Sequence, residues 1–150
     1  MKQGLAQIGI ALGALGVVLS FMGFFPTVTG IEPGLGIGLV QFIVIYTGFI
    51  LLTLGALIYV KFTLYEGRPS NLGQQVGVRL SMTGLLFTAI AGMADFLGFG
   101  SHALPEIPTF FGALQGLGVL GGFLIAALGV MIYAIAGSPP EDDPPPDKGE

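Results

Sequence analysis

The chain has 150 residues, of which 53% are hydrophobic and only 9% charged, and its mean hydropathy is +0.86. A soluble domain carries about a quarter charged residues to solvate its surface, so this composition excludes a water-soluble globule and leaves an integral membrane protein. Five of the nine acids (Glu141, Asp142, Asp143, Asp147 and Glu150) lie near the C-terminus, so the body is neutral and the net charge of −4 belongs to the tail. A body without clustered Lys and Arg excludes nucleic-acid binding. A chain without Cys has no disulfides, thiolate metal sites or Cys nucleophiles.

A helix needs about 20 apolar residues to cross a hydrocarbon core of roughly 30 Å. The first charge-free run covers 5–25 and closes at Pro26. It is longer than a signal-peptide core of about 7–15 residues, and Phe24-Phe25-Pro26 is a poor cleavage site, so a retained helix is expected. The second span is expected over 39–60, between Glu32 and Lys61. The third is expected over 76–99, with Arg79 and Asp95 towards its ends, and the fourth over 109–135. The predicted fold is therefore an all-α membrane bundle of four helices over 1–136. The tail, 137–150, combines acids with prolines and reads as a solvated, disordered arm.

Orientation follows from Lys and Arg in short loops. The 61–79 connection carries Lys61, Arg68 and Arg79, and Lys2 precedes the first helix, whereas 26–36 and 99–108 carry neither Lys nor Arg. Both termini and the middle connection are expected in the cytoplasm of a prokaryotic-type cell membrane. Tyr59, Tyr65 and Tyr133 fall where an interfacial aromatic belt would lie on that side.

The chain also reads as a tandemly duplicated two-helix hairpin, with repeats at about 5–62 and 72–136. At an offset of 74 residues Gln41 falls on Gln115, Gly48-Phe49 on Gly122-Phe123, Leu54-Gly55 on Leu128-Gly129, and Ile58-Tyr59 on Ile132-Tyr133. At an offset of 68, Gly9 falls on Gly77, Gly16 on Gly84 and Ser20 on Thr88. Hairpins repeated in one membrane orientation are related by a pseudo-twofold axis along the membrane normal.

Small residues line one face of each helix. Ala6, Gly9, Gly13, Gly16, Ser20 and Gly23 alternate steps of three and four, as do Gly77, Ser81, Gly84, Thr88 and Ala91. On the second and fourth helices Gln41, Gly48, Gly55 and Gln115, Gly122, Gly129 recur every seventh residue. A period of 3.5 keeps one face against a neighbour and implies a left-handed supercoil, and glycine lets backbones approach closely where lipid supplies no hydrophobic drive.

Few polar residues fall within the spans. Asp95 is their one acid, and it reads either as an interfacial carboxylate or as a proton or cation site. Gln41 and Gln115 could bond to one another across the pseudo-twofold axis as interhelical glue. His102, near Glu106 in an outer loop, has too few companions for a metal site or a catalytic triad. The Gly34–Gly38 glycines lack the strand and Lys-Ser/Thr of a phosphate loop. No catalytic residue, metal or cofactor is predicted, although lipid, quinone or pigment could contact the aromatic and glycine surfaces without any signature.

The pattern points to a non-catalytic subunit that packs within a larger membrane complex, its partners being membrane lipids and other subunits or further copies of itself. A small oligomeric transporter or channel, with Asp95 as the coupling residue, is the alternative.

Overall fold

A computed structural model describes residues 2–30, 38–94, 97 and 112–137. Among these residues the chain forms four α-helices and no strand: α1 (Lys2–Phe24), α2 (Leu39–Leu64), α3 (Leu72–Gly92) and α4 (Ala113–Ile135). None contains an internal proline. Pro26 instead opens a single 3-10 turn, Pro26–Thr29, which Gly30 closes in a left-handed conformation at φ 77° that favours glycine.

Three helices, over Gly4–Phe24, Leu39–Leu64 and Leu114–Ile135, are long and apolar enough to cross a membrane. The chain is a helical membrane protein. The expected third span needs correction: α3 begins at Leu72 and ends at Gly92 rather than running over 76–99, and it is not among those three. Its start is set by a capping box in which the Asn71 side chain accepts from Gln74 N at 2.8 Å and Gln74 Oε1 accepts from Asn71 N at 3.2 Å. That start brings Gln74, Gln75 and Arg79 into the first turns and lowers the apolarity of the helix.

The helices pair in sequence order, α1 against α2 and α3 against α4, and the two hairpins meet where α2 touches α3 and α4. The core at this junction comprises Phe42, Ile45, Phe49, Leu85, Val119 and Ala126, with Tyr46, Ile50, Ala91 and Phe123 packed on it. No α1 residue belongs to it, so α1 is held through α2. Large apolar side chains cover the outside of all four helices, among them Ile8, Val40, Leu86 and Leu124, as expected of a surface solvated by lipid.

Candidate functional site

Glycines line the contacts within each described helix pair, at positions where a side chain would run into the backbone of the partner helix. In the first hairpin, a Cβ placed on Gly9 would stand 2.7 Å from Tyr59 N and 2.9 Å from Gly55 O. One on Gly16 would stand 2.5 Å from Leu52 N and 2.6 Å from Gly48 O. Seen from α2, a Cβ on Gly48 would stand 2.7 Å from both Gly16 O and Ser20 N, and one on Gly55 would run into Gly13 N and Gly9 O. The second hairpin repeats this arrangement. A Cβ on Gly77 would stand 2.7 Å from Gly129 O and Tyr133 N, and one on Gly84 would run into the backbone of Gly122 and Ala126. A Cβ on Gly122 would in turn stand 2.7 Å from Gly84 O and Thr88 N, and one on Gly129 would stand 2.5 Å from Gly77 O and Ser81 N. At such separations no side chain fits, and the helices gain backbone dispersion and Cα–H···O contacts along their seams.

Gly13 departs from this pattern. Its backbone supports Gly55, but a Cβ of its own would meet nothing within 4 Å. The hydroxyls beside the glycines complete the seams. Ser81 Oγ donates to Ala126 O at 2.9 Å, and Thr88 Oγ1 reaches Gly84 O at 3.0 Å and Val119 O at 3.3 Å. The corresponding Ser20 Oγ is buried without a hydrogen-bond partner.

Gln41 and Gln115 do not bond to one another. Gln41 Nε2 donates to Gly23 O on α1 at 2.6 Å, whereas Gln115 Oε1 accepts from Gly112 N at 2.7 Å and caps its own helix. Gln115 Nε2 is left buried without a partner, as is Nε2 of Gln74, which is 2% exposed. Each glutamine finds a carbonyl or amide on its own hairpin before it could reach the other hairpin. Tyr133 is 4% exposed, so its ring faces protein: its backbone lies against Gly77 and its ring is edge-on to Tyr65 at 6.4 Å and 84°.

The hairpins meet through aromatic rings. Phe49 of α2 and Phe123 of α4 stack with centroids 4.0 Å apart and planes at 17°. Phe24 approaches Phe49 at 6.1 Å, Phe42 stacks on Tyr46 at 5.9 Å, and the Phe42 ring fills the space above Gly92. Phe49 and Phe123 follow the paired glycines at the same offset of 74, which is the sequence signal for this seam, but spacing alone does not bring the two rings into contact.

Asp95, Glu32, His102, Glu106, the Gly34–Gly36 glycines and the tail beyond Gly137 lie outside the described residues. Among the described residues no group of three His, Cys, Asp or Glu side chains could hold a metal ion. No protein-family model, curated protein or solved structure matches the chain.

Proposed function

We propose that the chain is a non-catalytic integral membrane subunit, packing through its lipid-facing surface within a larger multi-subunit membrane complex. The observation that supports this reading is that three polar side chains within the spans bridge neighbouring helices. Gln41, Ser81 and Thr88 each donate to a carbonyl of the neighbouring helix, so these side chains stitch helices together, whereas a permeation path needs its polar groups facing a lumen.

Within this reading all four helices span the membrane as a duplicated hairpin. α3 is paired along its length with α4, and its 21 residues give about 32 Å at 1.5 Å per residue, enough for the hydrocarbon core. Two observations favour the duplication. The offsets of 68 and 74 carry Gly9–Gly55 onto Gly77–Gly129 and Gly16–Gly48 onto Gly84–Gly122, and both sets are close contacts. Phe49 and Phe123, related by the same offset of 74, stack directly on each other, as residues beside a twofold axis would. The seven-residue glycine period supports a left-handed crossing of each pair.

Extraction in mild detergent tests the subunit reading. Unrelated membrane subunits are expected to co-purify, and a particle built of this chain alone would overturn the reading. Asp95 supplies a second discriminator. Asp95→Asn keeps most hydrogen bonds of a structural carboxylate, so this variant is expected to assemble at the wild-type level, with losses appearing only for Asp95→Leu. Normal assembly with ion flux abolished in Asp95→Asn vesicles would instead establish the transporter.

The proposed orientation puts both termini and the α2–α3 connection in the cytoplasm, the side favoured by Lys61, Arg68 and Arg79. Reporter fusions or thiol labels at Ser70 and Gly149 are expected to report cytoplasm, and those at Thr29 and Ser101 the opposite side. An external Ser70 would reverse the assignment.

A further inference from the structure

The outward face of α3 is not uniformly apolar. The helix buries Gln74, Gly77, Ser81, Gly84, Leu85 and Thr88, while Gln75, Arg79 and Thr83 are exposed. Spaced four apart, these three stand one above another on a single face. Thr83 satisfies its own hydroxyl by donating Oγ1 to Arg79 O at 2.9 Å. The Arg79 guanidinium is the one charge of the helix.

Among the described residues nothing neutralises this cation. None pairs with the Arg79 side chain, and the one acid among them, Glu66, already has an interaction partner. Ionisable groups in membrane helices pair with a counter-charge or face a bundle interior or water, and Arg79 does neither within the described bundle. Its level in the bundle follows from the packing of the α3 start. Gly73 lies against the Ala136 side chain, just past the end of α4 at Ile135. Arg79 comes six residues after Gly73, about 9 Å deeper at 1.5 Å per residue. Helical side chains lean toward the N-terminus of their helix, which for Arg79 is the direction of Gln75 and the bilayer surface. A long cationic side chain reaches the interface in this way. Val76 beside it is 56% exposed, and Met82 and Leu86 on the deeper side are 51% and 61% exposed.

We propose that Gln75 and Arg79 form a phospholipid headgroup site on the outside of α3. The guanidinium holds the phosphate, the Gln75 amide donates to it, and the acyl chains lie along Val76, Met82 and Leu86. A guanidinium presents parallel N–H groups that match two phosphate oxygens. Headgroups of net negative charge are preferred, because a zwitterionic headgroup brings its own cation. A carboxylate on a partner helix is the rival counter-charge, but it would have to be desolvated at the same depth, whereas phosphate stands at the interface of every phospholipid bilayer. The site rests on the reading that α3 crosses the membrane.

The test reconstitutes the full chain in phosphatidylcholine vesicles containing a minor fraction of phosphatidylglycerol and identifies the retained lipids by native mass spectrometry. The wild type is expected to retain phosphatidylglycerol over phosphatidylcholine by about fivefold, the effect of one cation near an anionic surface. Arg79→Gln, at an exposed position, is expected to abolish this preference without changing the melting temperature. Arg79→Lys is expected to keep part of it, since the charge remains and the fork is lost. Lys61→Gln is expected to leave it intact, because Lys61 Nζ is engaged with Arg68 O. Equal preference in the wild type and Arg79→Gln would overturn the proposal. So would a full loss in Lys61→Gln, which would make the preference a diffuse effect of the basic connection. A subunit that leaves the Arg79→Gln particle while lipid retention stays unchanged would assign this face to a protein partner instead. Labels at Ser70 and Ser101 separate the two readings: on the same side they would overturn the crossing of α3, whereas on opposite sides without a lipid preference they would overturn the headgroup site alone.

Discussion

Gly122→Leu is expected to destabilise the detergent-solubilised protein strongly, while Gly121→Leu, one residue away, leaves it near wild type. A Cβ on Gly122 would stand 2.7 Å from Gly84 O and Thr88 N, whereas one on Gly121 would meet nothing within 4 Å. Backbone atoms cannot swing aside as a flexible side chain can, so the helices must separate along the seam. Overpacking costs about 1–3 kcal/mol, and Leu at a backbone contact belongs at the upper end. Gly84→Leu and Gly16→Leu are expected to behave like Gly122→Leu, because each position faces the carbonyl of a partner glycine. Gly13→Leu groups with Gly121→Leu. Thermal unfolding followed by helix content or aggregation gives the comparison. Equal melting points for Gly121→Leu and Gly122→Leu would show that these seams do not hold the helices together.

Removing the ring that joins the hairpins is the second large perturbation. Phe49→Ala and Phe123→Ala each leave a cavity at the junction where α2 meets α4. Such truncations cost about 3–5 kcal/mol in soluble cores. In lipid the transfer contribution falls away, leaving the cavity and dispersion part, about 2 kcal/mol. The glycine contacts of the α1–α2 and α3–α4 seams are untouched, although Phe49→Ala also removes the Phe24–Phe49 contact at 6.1 Å, so each hairpin is expected to keep its helix content while the hairpins loosen from one another. The double variant is expected to be less destabilised than the sum of the singles, by the roughly 0.5–1.5 kcal/mol of an aromatic pair. Strict additivity would mean that the stack contributes nothing beyond two independent burials.

α3 illustrates how local and charge-based readings can part. Charges alone place this span over 76–99, with Arg79 and Asp95 towards its ends. The Asn71–Gln74 capping box, also visible in the sequence as Asn-x-x-Gln, starts it at Leu72. Satisfying exposed backbone amides at a helix start is a local requirement, and here it prevailed over the preference for keeping Arg79 near an end. The polar first turns of α3 are accommodated by α4 and the loop, where Asn71 and Tyr65 bond to the last carbonyls of α4.

Membrane residence and the helical character of the chain were determined by the sequence, because long charge-free runs must satisfy their backbone internally in lipid. The glycine period was legible there as well, since a helix face is a property of spacing alone. Which glycine on a face meets backbone was decided only in the tertiary structure: Gly9 and Gly16 do, while a side chain on Gly13 would point into open space. A stripe has two flanks, and only the crossing of the partner helix selects between them. The polar pairing was decided in the same way. Gln41 and Gln115 occupy equivalent positions, yet one reaches Gly23 O and the other caps Gly112, because a buried amide takes the nearest carbonyl or amide its hairpin offers. The stacking of Phe49 on Phe123 lay beyond any local pattern, since it depends on how two separately formed hairpins dock.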